Sequence, residues 1–312
     1  MAWLFDREIV RRLPEEWGGV VPTEVFIGEA RRIVDEADKR GIILRVMGGL
    51  GIRMHSEECA EFAASIGRVG LSEEGKKQEY SDIDLMSYSR FRKDVVKLMT
   101  EELGYVKRRA TLSSAASNRQ IYFHGDGWFY VDVFYDKLVV ANHPIDFRGR
   151  LELDKPTVPV TELLLEKIQI WEAFSEKDFK DILILLRAHE VGEKDEREVI
   201  NGRYIARLLS RDWGFWYTAT TNLKRVKRIL ENLDRYAKDV NIDASRVSRE
   251  DIEVIVSRID KLLRMIDEEP KTFGWKMRAK VGTRKRWYNP VERPETVGGF
   301  GIWEALKKEE GV

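Results

Sequence analysis

The amino-acid sequence predicts an α/β (α+β) core with a mixed sheet, followed by a mostly helical C-terminal domain. Three observations predict it. Up to about residue 155, short β-rich runs alternate with amphipathic helical segments. After Thr161 helical periodicity takes over. Pro156 and Pro159 punctuate the passage between the two halves. The expected division is 1–155 for the core and 156–312 for the helical domain, whose tail, 270–312, is basic and aromatic. A chain of 312 residues suits one large domain or two ordinary ones, and 43% hydrophobic residues suffice for a real core.

Residues 23–40 read as an amphipathic helix with Thr23 as its N-cap and Gly41 as its stop. Ile42–Met47 is a short apolar strand, Gly48-Gly49 a turn, and Leu50–His55 the opening of the next helix. Residues 56–80 read as an insert, helical over Glu57–Ile66 and polar over Ser72–Glu79. Asp82–Ser87 is the second strand, and Phe91–Leu103 is a helix stopped by Gly104. Arg119–Phe123 and Trp128–Phe134 are β-rich runs flanking His124-Gly125-Asp126-Gly127, a hairpin signal. On the second of these, Trp128, Tyr130, Asp132 and Phe134 share one face. Residues 145–160 read as extended chain. Thr161 caps a helix, and further helical runs are expected at about 178–190, 201–209, 216–238 and 248–267. From Pro270 the tail reads as irregular. There is no internal repeat.

Net charge is zero, so no whole-molecule field draws in nucleic acid or membrane, and any electrostatic footprint is local. The single cysteine, Cys59, excludes an internal disulfide framework and a cysteine-based zinc site. His55, His124, His143 and His189 are too scattered for a zinc signature. Asp6, Arg7 and Glu8 argue against a signal peptide, and no apolar run approaches a membrane span. The expectation is a soluble cytoplasmic protein with no membrane partner. Charged residues at 35% lean toward a heat-adapted source.

The chemistry is expected at Asp82 and Asp84. Residues two apart on a strand point to the same face, so these carboxylates stand side by side. Two such charges repel and are costly to desolvate. A hard divalent cation resolves that conflict, since Mg²⁺ takes oxygen ligands from one or two carboxylates plus phosphates. The plain alternative is a solvated strand end. Asp132 offers a third carboxylate from another strand. Gly48-Gly49 is either an ordinary strand-to-helix turn or a place where backbone N–H groups approach an anion. The P-loop and dinucleotide glycine patterns are absent.

Lys167 lies inside an apolar helical stripe, so it snorkels to solvent or faces a charged partner. Asp178 and Asp181 follow at 11 and 14 residues, which returns them to the same face if the helix runs on. Their structural alternative is an internal ion pair or a helix cap. Between Lys271 and Val291 there are seven Lys or Arg residues and no acid, interleaved with Trp275, Trp287 and Tyr288. Basic groups neutralise backbone phosphates and aromatic faces stack on bases, so this is a candidate RNA grip. The alternative is a basic tail folded onto the helical surface. Lys224, Arg225, Lys227 and Arg228 form a second basic cluster, read as a solvated helix face.

Together these features resemble the nucleotidyltransferase fold of the DNA polymerase β superfamily, and more narrowly its AbiEii-type branch, to which type IV toxin–antitoxin nucleotidyltransferases belong. The resemblance covers about residues 40–190. It is carried by Gly48-Gly49-Leu50-Gly51-Ile52-Arg53-Met54-His55, Ser81-Asp82-Ile83-Asp84-Leu85, Val131-Asp132-Val133, Pro159 to Ile168, and Lys177-Asp178-Phe179-Lys180-Asp181-Ile182. It implies a Mg²⁺ (or Mn²⁺) site at Asp82, Asp84 and Asp132, with Asp132 as ligand or as base. It also implies an NTP substrate such as ATP, with the triphosphate at Gly48, Gly49, Arg53 and Ser81. Lys167 would contact phosphate, and Asp178 or Asp181 would complete the site. The implied acceptor is an RNA, tRNA among the candidates, and the implied partner is a cognate antitoxin. A small-molecule nucleotidyltransferase and a non-catalytic RNA-binding member of the fold are the alternatives. Gly49 stands where the family has a serine or threonine, and the insert lengthens the path from Gly49 to Asp82.

Overall fold

The computed structural model describes residues 9–68, 78–109, 118–139, 141–291 and 300–310. They form two compact units. The first draws on the stretches Met1–His55, Gly70–Val139 and Pro144–Pro159, and the second on Ser56–Val69, Val140–His143 and Val160–Val312. The described part of the insert therefore splits. Its first segment, a 3₁₀ turn at Glu57–Cys59 and helix Ala60–Ser65, belongs to the second unit and buries Phe62, Ala63 and Ile66 there. Most of the polar stretch expected at Ser72–Glu79 lies outside the described residues.

The first unit is a mixed five-stranded sheet with helix α1 (Thr23–Asp38) packed on one face. Its strands are β1 (Leu44–Val46), β2 (Asp82–Ser87), β3 (Val106–Lys107), β4 (Arg119–Phe123) and β5 (Tyr130–Tyr135), in the spatial order β1-β2-β5-β4-β3. β2 and β5 are parallel, and the other neighbours are antiparallel. α1 buries Phe26, Ala30, Ile33, Val34 and Ala37 at helical spacing, and these meet Ile83, Leu85, Val131, Val133 and Tyr135 from alternate strand positions. α1 begins after Pro22 rather than at a Thr23 cap, and the Thr23 hydroxyl donates to the Glu79 carboxylate at 2.7 Å. The hairpin closes with Gly127 N–H on the His124 carbonyl at 2.9 Å, and β5 begins at Tyr130. Trp128 is thus in the turn, stacked on the His124 ring at 4.1 Å. The expected helix at Phe91–Leu103 starts as a 3₁₀ turn at Ser89–Phe91 and ends as a π-helical turn at Leu98–Glu102.

The second unit is mainly helical. Its principal helices are Val160–Ile168, Glu176–Ala188, Gly202–Leu209, Trp213–Glu231 and Arg249–Glu268, with a parallel pair of three-residue strands at Glu190–Gly192 and Val199–Asn201. The tail departs from the irregular chain expected of it. Phe273–Val281 is a helix capped by the Thr272 hydroxyl, and Gly301–Glu309 is another that buries Ile302, Trp303 and Leu306. A hydroxyl cap and a buried apolar stripe outweigh the tail's Gly and Pro content. Among the described residues, no helix is long and apolar enough to cross a membrane.

Candidate metal centre

β2 and β5 put three carboxylates on one face of the first unit. The opposite face is committed to the core under α1, so period-two alternation turns Asp82, Asp84 and Asp132 away from it. The parallel register pairs Asp84 directly with Asp132 and Asp82 with Tyr130. One ligand oxygen from each of Asp82, Asp84 and Asp132 lies within 4.8 Å of the others. Asp82 and Asp84 are partly exposed, whereas Asp132 is buried. Ser81 Oγ donates to Asp82 Oδ1 at 2.9 Å, which orients the outermost carboxylate.

The glycine turn abuts this cluster. Met47 N–H bonds the Asp84 carbonyl at 2.9 Å, extending the β1–β2 ladder by one residue. The chain then turns at Gly48, with φ of 67°, directly into helix α2 (Gly48–His55). A Cβ on Gly48 would lie 2.9 Å from Asp84 Oδ2, closer than real Cβ contacts come. Gly48 is therefore required twice, by its backbone angle and by the carboxylate beside it. Gly49 is the second residue of α2, so the helix starts at Gly48 rather than at Leu50. Arg53, one turn on, has Nε and Nη1 buried with no hydrogen-bond partner among the described residues.

Asp132 is the electrostatic centre of the cluster. Burial pushes its carboxyl pKa up, the Arg119 guanidinium opposes this, Asp82 adds to it and Arg108 opposes it, with a net upward shift. Arg119 Nη2 donates to Asp132 Oδ2. Asp132 Oδ1 is buried with no hydrogen-bond partner among the described residues. A buried carboxylate oxygen left unpaired is costly, and a hard cation is the species that three converging carboxylates satisfy. The donor set thus fits Mg²⁺ or Mn²⁺.

The remaining expected site residues gather in the second unit. Lys167 Nζ lies 2.9 Å from Asp178 Oδ1 and 2.9 Å from Asp181 Oδ2. Arg68 Nε donates to Asp181 Oδ1 at 2.6 Å. Two cations and two carboxylates neutralise one another. Burial works against the Lys167 charge, but both carboxylates outweigh it and raise its pKa. Burial likewise opposes the Asp181 charge, yet Lys167 and Arg68 hold its carboxyl below the ordinary range. Asp178 also accepts the Ser175 N–H at 3.1 Å in a capping box. The helix does not run on from Lys167 as its spacing suggested. It stops at Ile168, and a new one starts after Ser175, which still brings Asp178 and Asp181 to Lys167.

The basic tail is partly committed to packing. Trp287 meets the Trp171 and Tyr217 rings, each at 5.0 Å, and its Nε1 donates to Thr218 at 3.1 Å. Arg278 lies over the Trp213 ring at 4.7 Å, and Lys271 caps carbonyls at the end of Arg249–Glu268. Phe273, Lys276, Met277, Lys280, Lys285 and Arg286 remain exposed. In the second basic cluster, Arg225 is 1% exposed and pairs with Glu310, so that face is not simply solvated.

Sequence reasoning missed Arg119, Arg108 and Arg68. Arg108 and Arg68 meet their carboxylates only through the fold, whereas Arg119 lies 13 residues from Asp132 across the hairpin that the sequence signals. No protein-family model, no curated protein and no solved structure matches this chain.

Proposed function

We propose that this chain is a nucleotidyltransferase of the DNA polymerase β type, moving NMP from an NTP to a hydroxyl of an RNA acceptor with release of pyrophosphate. The observation that carries the reading is the register pairing of Asp84 with Asp132, with Asp82 on the same face and one oxygen from each within 4.8 Å. Asp82, Asp84 and Asp132 would hold Mg²⁺ or Mn²⁺, which when bound neutralises phosphate charge and orients the reacting phosphoryl group. The turn at Gly48 and the start of α2 offer N–H groups and positive helix-end charge to the triphosphate, with Arg53 a turn away. Ser81 holds Asp82 in place, and Arg119 holds one oxygen of Asp132. Asp132 would act through Oδ1 either as a third ligand or, with Asp82 and Asp84 holding the ion, as the base that takes the proton of the attacking hydroxyl. A toxin role with a cognate antitoxin follows from the family resemblance alone.

The test is incubation with Mg²⁺, each α-labelled NTP in turn and total cellular RNA. Label on an RNA band, absent with Asp82→Asn or Asp84→Asn protein that retains its fold, supports the proposal. Labelling that persists unchanged in both variants, or none with any of the four NTPs, rejects it.

A further inference from the structure

The sheet carries a second charged feature on the face of the carboxylates. β3 pairs with β4 so that Lys107 opposes Tyr122, and the Arg108 N–H continues the ladder to the Ile121 carbonyl at 2.8 Å. Ile121 in turn opposes Asp132, and Asp132 opposes Asp84. Directly paired residues share a face, so Arg108, Ile121, Asp132 and Asp84 form one row across four strands. Arg119, two residues from Ile121, stands on the same face in the adjacent row and reaches Asp132. The two arginines therefore flank Asp132 on the side away from β1.

Arg108 Nε and Arg119 Nε are both buried with no hydrogen-bond partner among the described residues. The Arg119 side chain still keeps 30% of its surface accessible. One carboxylate, Asp132, accepts a hydrogen bond from Arg119 and feels the charge of Arg108. Arginine's fork of donors matches a phosphate oxygen pair, so the missing partner is an anion of that shape.

The strand order says which anion. From one edge to the other run β1 with its glycine turn, then β2 and β5 with the carboxylates, then β4 with Arg119 and β3 with Arg108 just past its end. In an in-line displacement the attacking and leaving oxygens lie on opposite sides of the phosphorus. With the triphosphate at the glycine turn, the attacking hydroxyl comes from the arginine side. We propose that Arg108 and Arg119 bind a phosphodiester of the acceptor next to its attacking hydroxyl, so that the acceptor is a nucleic-acid end. This rests on the nucleotidyl-transfer reading and narrows it, because a polycationic small molecule would be repelled by the same pair.

The experiment separates binding from turnover. Anisotropy of a labelled single-stranded RNA with a free 3′-hydroxyl is titrated with full-length protein, without NTP or Mg²⁺. A parallel titration uses a non-hydrolysable α,β-methylene NTP. Arg108→Gln and Arg119→Gln should each weaken RNA binding by about tenfold, the value of one charge-assisted hydrogen bond. The double variant should lower the salt slope by about 0.7, one phosphate on a single strand. Analogue affinity should hold in Arg108→Gln, which removes no hydrogen bond from Asp132. Arg119→Lys, which keeps the charge on Asp132, should fall between wild type and Arg119→Gln and guards against misfolding. Unchanged RNA affinity in both glutamine variants, equal loss of RNA and analogue in Arg108→Gln, or no RNA binding by wild type overturns the subsite. Loss of RNA binding in the variants, with no labelling by wild type in the transfer assay, rejects nucleotidyl transfer and leaves the phosphodiester site standing.

Discussion

Gly48→Ala probes whether the backbone turn and the metal centre are one device. Two costs follow from the geometry. An alanine at φ of 67° enters the left-handed region, at about 1–2 kcal/mol. Its Cβ would also meet Asp84 Oδ2 at 2.9 Å, so the carboxylate must rotate off its position. A side chain displaced by about 30° from its rotamer costs about 0.5–1.5 kcal/mol. Their sum, about 1.5–3.5 kcal/mol, should lower Tm by roughly 3–14 °C for a domain of this size. The second cost must be met again when Asp84 returns to bind an ion, so Mn²⁺ affinity should fall roughly two- to tenfold. Thermal unfolding and calorimetric Mn²⁺ titration read the two effects. Gly28→Ala is the control. A Cβ there meets nothing within 4 Å inside α1, so stability should rise by up to about 1 kcal/mol. A Gly48→Ala protein with wild-type Tm and wild-type Mn²⁺ affinity would refute the coupling.

Two further outcomes are expected. Mg²⁺ at about a hundred times its dissociation constant should stabilise the protein by about 2.7 kcal/mol, reversibly with EDTA, and Asp84→Asn should abolish that gain. A thermal-shift series checks this, and an equal gain in the variant would discount the site. Asp181→Asn leaves Lys167 and Arg68 short of a buried carboxylate and should cost about 3–5 kcal/mol in urea unfolding. Because the folded Asp181 pKa is depressed, its contribution is present above the unfolded value of about 3.9 and is lost as pH falls through the folded value. The wild-type advantage over Asp181→Asn should therefore shrink in acid, and a constant gap from neutral pH to below about 3 would contradict the assignment.

Local pattern made part of this molecule legible. β2 matches its expected span, Asp82–Ser87, because apolar and acidic residues alternate cleanly there. The acidic trio was readable because each member sits at a strand position whose neighbours face the core. Trp171 and Phe174 prolong helical periodicity past Ile168, so the break was hidden, although Ser175-x-x-Asp178 spells the capping box that starts the next helix. Thr272 marks a helix start that the basic composition of the tail masks. Arg108 could not be assigned, because its role depends on β3 lying beside β4, and strand order is a non-local property, whereas the place of Arg119 follows from the register of the β4–β5 hairpin.

The carboxylate cluster is also as durable as the core beneath it. A one-residue slip of β5 against β2 would turn Asp132 inward and Val131 and Val133 outward. Each exposed aliphatic side chain forfeits about 1.5–3 kcal/mol, and an ionised carboxylate placed in the core costs several more. That penalty rivals the 5–15 kcal/mol that holds a typical domain together. The spacing of the three carboxylates is therefore set by α1 packing on Ile83, Leu85, Val131 and Val133, not by the acidic residues themselves, whose mutual repulsion opposes it. It follows that Asp82→Asn or Asp84→Asn can remove a ligand without moving the others. A lost activity in either variant can then be read as lost chemistry rather than lost structure.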